Sequence, residues 1–201
     1  MKTAKLIALL LILQLTLSAQ YFPKEEYYSK PVVWLGLDFT LTQFKNPFDF
    51  PPGEELQRRY MPGWNEMIII EPDKYNIRKF LKNENISYSL TEVNAFNEQI
   101  DPAQIFSEEK ELLTLEKLEE DVSKYENGKD ELAVMMYVVS FNKTIPRGTF
   151  YFVVIDRSSG RLMFVEKVSA DPGGFGLRNY WLGSYHRALK QLRYRMREWR
   201  R

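Results

Sequence analysis

The chain contains no cysteine. Disulfides, thiol nucleophiles and thiolate metal sites are therefore excluded, and so is anchoring through a lipidated cysteine. His186 is the single histidine, too few for a histidine-rich metal centre. The glycines spell neither G-x-G-x-x-G, nor a Walker loop with its lysine and hydroxyl, nor a G-x-S-x-G elbow. Dinucleotide, P-loop and serine-hydrolase chemistry lose their signatures, and no cofactor or metal is implied. Charge of one sign is also missing: 28 Lys and Arg face 27 Asp and Glu, for a net +1. That balance points away from a nucleic-acid partner. Past residue 17 no apolar run reaches membrane length, and there is no internal repeat or low-complexity tract.

What is present begins with an export leader. Lys2 and Lys5 form a positive start, Leu6 to Leu17 is apolar apart from Gln14 and Thr16, and Ser18-Ala19-Gln20 offers cleavage after Ala19. Residues 1–19 are thus expected to be a signal peptide and the protein to be periplasmic or secreted. Losing two lysines leaves 26 basic against 27 acidic side chains, or −1. The remaining chain of roughly 180 residues suits one domain. Gln20 to Lys30, polar and aromatic with Pro23, reads as an extended arm, and 31–201 as a single α/β domain. Aromatics are plentiful (13 Phe, 12 Tyr, 4 Trp), which favours large buried areas and interfaces.

Pro31 opens Val32-Val33-Trp34-Leu35-Gly36-Leu37, a nearly continuous apolar run that predicts a strand buried on both faces. Phe44 to Gly53 reads as a loop because of Pro47, Pro51 and Pro52. Short helices are predicted at 54–60, 64–71 and 73–82, with Met61-Pro62-Gly63 as a break between the first two. Alternation over 86–90 predicts a half-exposed strand. Pro102 can open a helix after Asp101, and Leu115, Leu118, Val122 and Tyr125 recur at helical spacing. Leu132 to Phe141, Phe150 to Ile155 and Leu162 to Val168, joined by short turns, predict an antiparallel meander. The last helix runs from Leu177 to about Trp199, with Trp181, Tyr185, Ala188, Leu189, Leu192, Met196 and Trp199 on one stripe. The fold class expected is α+β: a mixed sheet ending in an antiparallel meander, helices packed on it and a long C-terminal helix.

Two places could hold chemistry. Asp38 ends the first apolar run, where a carboxylate must emerge or find a partner. Leu37-Asp38-Phe39-Thr40-Leu41-Thr42 resembles in part the first motif of haloacid-dehalogenase-type phosphatases. Thr40 replaces that family's second aspartate, which removes the acid/base partner. Asp171-Pro172-Gly173-Gly174-Phe175-Gly176 precedes a helix, where backbone N–H groups can hold an anion and Arg178 can clamp it. The competing reading is a strand-to-helix elbow with Phe175 as a plug. The candidate ligand-binding residues are Asp38, Thr40, Gly173, Gly174, Gly176, Arg178 and Asn179. His186 reads as a partly exposed helix residue, and Glu66, Glu71 and Asp73 as a solvated face. The basic last helix could meet a lipid surface, an acidic partner, or the acidic run at 108–121.

The strings Val33-Trp34-Leu35-Gly36-Leu37-Asp38-Phe39-Thr40 and Gly173-Gly174-Phe175-Gly176-Leu177-Arg178-Asn179-Tyr180-Trp181 resemble a group of exported bacterial proteins without assigned activity. The order of elements is more loosely similar to periplasmic α/β domains of envelope-assembly and secretion-channel lipoproteins. That resemblance implies an oligomerising or docking module of the cell envelope. The lack of a complete catalytic set and the many aromatics favour a non-catalytic binding or assembly role, with a protein partner, a second copy, or peripheral membrane contact through the basic helix. The alternative expectation is a hydrolase or small-anion binder whose site joins the end of the first strand to the glycine loop.

Overall fold

The computed structural model describes residues 22–106 and 113–200. The expected signal peptide lies outside the described residues, as does the stretch 107–112, which takes in the start of the acidic run. Strand β1 (Val32–Asp38) is buried at every position, as the apolar run 32–37 requires, and the burial extends to Asp38 at its end. It lies between two parallel neighbours, β3 (Ile86–Tyr88) and β4 (Leu132–Asn142). Strands β4, β5 (Arg147–Asp156) and β6 (Arg161–Ala170) form the expected antiparallel meander. The sheet order is β3-β1-β4-β5-β6. Short β2 (Gln43–Lys45) continues along β4 beyond the end of β1. The fold is α+β.

Alternation along these strands builds two cores. One face carries Trp34, Leu37, Val134, Met136 and Phe152, the other Leu35, Ala133, Met135, Tyr137 and Val153. The first face is covered by α3 (Met61–Ile70), α4 (Ile77–Leu81) and α7 (Gly176–Trp199). The second is covered by α5 (Thr91–Glu98), α6 (Leu115–Asp121) and the 3-10 turn Val122–Tyr125. Helix α7 buries the stripe expected of it, from Trp181 to Met196. Among the described residues no helix is long and apolar enough to cross a membrane.

Two local expectations need correction, and one helix lies where the sequence predicts no element. The arm expected at 20–30 is not extended where it is described: α1 (Lys24–Ser29) is a short helix. It is docked because Phe22 stacks on Trp199 at 5.2 Å and the buried Tyr27 hydroxyl donates to Leu81 O at 3.1 Å. Met61-Pro62-Gly63 does not break the chain either. Helix α2 (Gly53–Glu55), a π turn at Leu56–Tyr60 and α3 run on without interruption. In the π turn the Met61 N–H bonds Leu56 O, five residues back. That wider turn makes room for the Pro62 ring, which would otherwise press on the preceding turn's carbonyl. Thr91–Glu98, which carries no strong apolar period, is helical.

That missed helix supports β1. Strand β3 pairs with β1 only as far as Trp34. Beyond it, two buried asparagine side chains take over the free edge. Leu37 N donates to Asn65 Oδ1 at 2.7 Å and Phe39 N to Asn97 Oδ1 at 2.8 Å, while both side-chain amides donate back to Leu37 O. Asn65 stands on α3 and Asn97 on α5, so helices from both faces complete the ladder where the neighbouring strand stops. Buried backbone groups demand such partners.

Candidate functional site

Asp38 lies where β1 leaves β4. Its register partner is Tyr137, and Gln43 of β2 already faces Ser140, so the chain makes a jog in between. The carboxylate is fully buried on the α5–α6 face and both oxygens are engaged. Oδ1 accepts from Thr40 N at 2.7 Å and from Thr40 Oγ1 at 2.6 Å, forming a turn that shapes the jog. Oδ2 accepts from the Tyr125 hydroxyl at 2.7 Å and meets Lys124 Nζ at 2.9 Å.

Lys124 sits at the centre of this network. Its ammonium also reaches Asp121 Oδ2 at 2.6 Å and Thr40 Oγ1 at 2.9 Å, among the rings of Phe96, Tyr125 and Tyr137. Tyr137 donates to Asp121 at 2.8 Å. Burial, and then the Asp38 charge, push the Tyr125 and Tyr137 hydroxyls well above the ordinary tyrosine range. Both phenols therefore remain donors, which is what the two carboxylates need. Arg157 forms a second brace on this face, with Nη2 2.7 Å from both oxygens of Glu92 and Nε donating to Tyr125 O at 3.1 Å.

The glycine loop belongs to the opposite face. Gly173 N donates to Tyr180 O at 2.9 Å, so that amide turns into the helix rather than toward an anion. Arg178 is exposed, its carbonyl accepts from Trp64 Nε1 at 3.1 Å, and Asn179 bonds back to Phe175 O at 3.2 Å. The loop also brings two backbones into contact: a β-carbon on Gly183 would stand 2.0 Å from Gly173 O. Gly183→Ala is expected to destabilise the fold by about 2 kcal/mol, seen as a lower urea midpoint at unchanged slope. Unchanged stability would mean that α7 does not sit this close to the loop.

The structure thus groups Asp38 with Thr40, and Gly173, Gly174 and Gly176 with Arg178 and Asn179. It sets the two groups on opposite faces of the sheet. His186 is half-buried on α7, where burial and then the charges of Lys190, Lys74 and Arg187 lower its pKa.

Phe175 does not plug anything. It is 96% exposed, held out between Gly174 and Gly176, both with positive φ. Phe48 is 98% exposed in the 3-10 turn Pro47–Asp49, and Ile145 is 64% exposed in the β4–β5 turn. These three loops meet. Lys143 donates to Asp49 O, Arg147 pairs with Asp171 at 3.2 Å, and a cleft of about 440 Å³ is lined by Asp49, Lys143, Gly174, Gly176, Leu177 and Tyr180. Lys45, Arg147 and Arg178 are exposed on the same loops and elements. The sequence does carry a signal for this tip. Asn46-Pro47-Phe48, Thr144-Ile145-Pro146 and Gly174-Phe175-Gly176 each set one large apolar residue among turn formers, where no stripe can bury it.

No protein-family model and no curated protein matches the chain. Among solved structures, lipoprotein GNA1162 from Neisseria meningitidis aligns over 76% of this chain and 88% of its own, at 12% identity and a TM-score of 0.33. At that distance the likeness carries no argument about a site or an activity.

Proposed function

We propose that the protein is an exported, non-catalytic docking module of the bacterial cell envelope that engages an anionic lipid surface through its three-loop tip. The observation that carries this reading is the near-complete exposure of Phe48 and Phe175, with Ile145, on loops that touch one another. Large apolar side chains gathered at one place mark interaction sites. Side chains exposed at 98% and 96% protrude with almost nothing beside them. That shape suits insertion between lipids better than a face-to-face protein contact. Lys45 and Arg178 around the tip, beside the Arg147–Asp171 pair, supply the second, electrostatic signal that peripheral binding requires. The leader read in residues 1–19 supplies the route out of the cytoplasm. A non-catalytic role is supported by Asp38, whose oxygens are both committed to neighbouring side chains and backbone.

Flotation with phosphatidylglycerol–phosphatidylcholine vesicles tests the reading. Phe48→Ser with Phe175→Ser is expected to weaken partitioning roughly 100-fold, from about 1.5 kcal/mol per phenylalanine side chain. Partitioning that ignores both substitutions overturns it. A concentration-dependent dimer in sedimentation, lost in the double variant, would make the tip an interface between copies and overturn the lipid reading.

A further inference from the structure

Helix α7 presents a second stripe besides its apolar one. His186, Lys190, Arg193, Tyr194 and Arg197 recur at spacings of three and four, so they stand one above another along the helix. Glu198 is the one acidic residue of α7. Packed beside this stripe is α4, which brings Lys79 and, at its end, Lys82. Between them lies a groove of about 520 Å³, within the range of small-molecule sites, with Phe80 in its wall. Asp73 is its one acidic lining residue.

A row of like charges at helical spacing destabilises a helix unless something opposes it. Elsewhere on α7 something does: Arg195 pairs with Glu166, and Arg187 donates to Asp171 O at 2.7 Å. In the groove, Lys79, Lys190, Arg193 and Arg197 have no carboxylate partner among the described residues. Arg193 shows the deficit most directly. Its Nε is buried and has no acceptor among the described residues, an arrangement that costs free energy until an acceptor arrives. The mutual field is felt by neighbours: partial burial, and then Arg193, Arg197, Arg200 and Lys79, lower the Lys82 pKa.

We propose that the groove between α4 and α7 is a binding site for a small phosphate-bearing anion, held by Lys79, Lys190, Arg193 and Arg197. Guanidinium forks match phosphate oxygens in pairs, and the lysines add point charge from both walls. Tyr194, with the Arg197 guanidinium 5.5 Å from its ring centre, offers an aromatic face for the rest of the ligand. The same chemistry is found in a soluble phosphate ester and in a phospholipid headgroup. This site is separate from the loop tip: the groove lies along residues 186–197 of α7, and the tip lies at the start of that helix.

The test uses the full chain and Arg193→Gln with Arg197→Gln. Arg58→Gln with Lys129→Gln, both exposed outside the groove, removes the same charge as a control. Inorganic pyrophosphate is titrated calorimetrically and its effect on Tm recorded. The parent is expected to bind and to gain Tm. The arginine variant should bind at least about tenfold more weakly, while the control stays within about twofold. Without ligand, the arginine variant is expected to melt above the parent, because the repulsion is relieved. Vesicles of phosphatidylglycerol in phosphatidylcholine form the second arm. Flotation lost in the arginine variant, with no heat from pyrophosphate, supports the headgroup form of the site. Flotation that depends on Phe48 and Phe175 but not on Arg193 and Arg197 belongs to the tip and overturns that form. Equal losses in the arginine variant and the control, or no response to either probe, overturn the proposal altogether.

Discussion

Lys124→Met is expected to lower the unfolding free energy by about 3 kcal/mol, read as a lower urea midpoint at unchanged slope. The substitution keeps the length of the stem and its packing among Phe96, Tyr125 and Tyr137, so what is lost is the charge. Asp38, at 0% exposure, then retains Tyr125 and Thr40 but no cation. Asp121 loses the same partner. Removing one member of a buried pair typically costs 3–5 kcal/mol, because the remaining charge has left water without compensation. The lower end applies here because the lysine side chain is 19% exposed.

A second variant separates this cause from lost packing. Adding Asp38→Asn to Lys124→Met removes the charge that the lysine neutralised. The pair should therefore be more stable than the lysine variant alone, a coupling that a double-mutant cycle measures. Additive losses would mean that the lysine acts only through its stem. A single variant within about 0.5 kcal/mol of the parent, the usual scatter of surface changes, would place its ammonium effectively in water.

The same network shows where reading the sequence stops. β1, β4 to β6 and α7 are legible because each buries a stripe whose period is written in consecutive residues. The partner of Asp38 is not written beside it. Lys124 reads, locally, as one more charge on an acidic helix, and only the packing of α6 and its 3-10 extension over β1 brings the two together. Helix α5 hides for a related reason. Its inward positions include Asn97, whose burial makes sense only once the unpaired edge of β1 is known. α1 is held by Phe22 against Trp199 at the far end of the chain, a contact no local pattern encodes. The anion site weighed as the alternative to an elbow at the glycine loop rested on loose amides at a helix start. The fold turns one of them, Gly173 N, onto Tyr180 O instead. The cationic groove escaped because it needs α4 and α7 side by side, although the basic stripe on α7 was already visible.

Above pH 10 the protein is expected to unfold in one cooperative step, with tyrosinate absorbance and loss of the far-ultraviolet dichroism rising together. Tyr27, Tyr125, Tyr137 and Tyr185 are each no more than 1% exposed. Burial first, and neighbouring acids or tyrosines second, raise all four well above the ordinary value of 10.0. Below that value both the folded and the unfolded chain hold these protons, so they contribute no slope. Above it the unfolded chain releases them and the folded chain does not, so stability falls by about 1.4 kcal/mol per pH unit for each tyrosine. Four together give roughly 5 kcal/mol per unit, enough to exhaust a typical stability of about 5–15 kcal/mol within one to three units. Tyr185 provides the internal control, since its hydroxyl is buried without a partner among the described residues. Tyr185→Phe should cost little or even stabilise at neutral pH, while reducing the alkaline slope by about a quarter. Gradual titration of all the tyrosines near their ordinary value, with the helical signal intact, would mean that these four hydroxyls reach water in the folded protein.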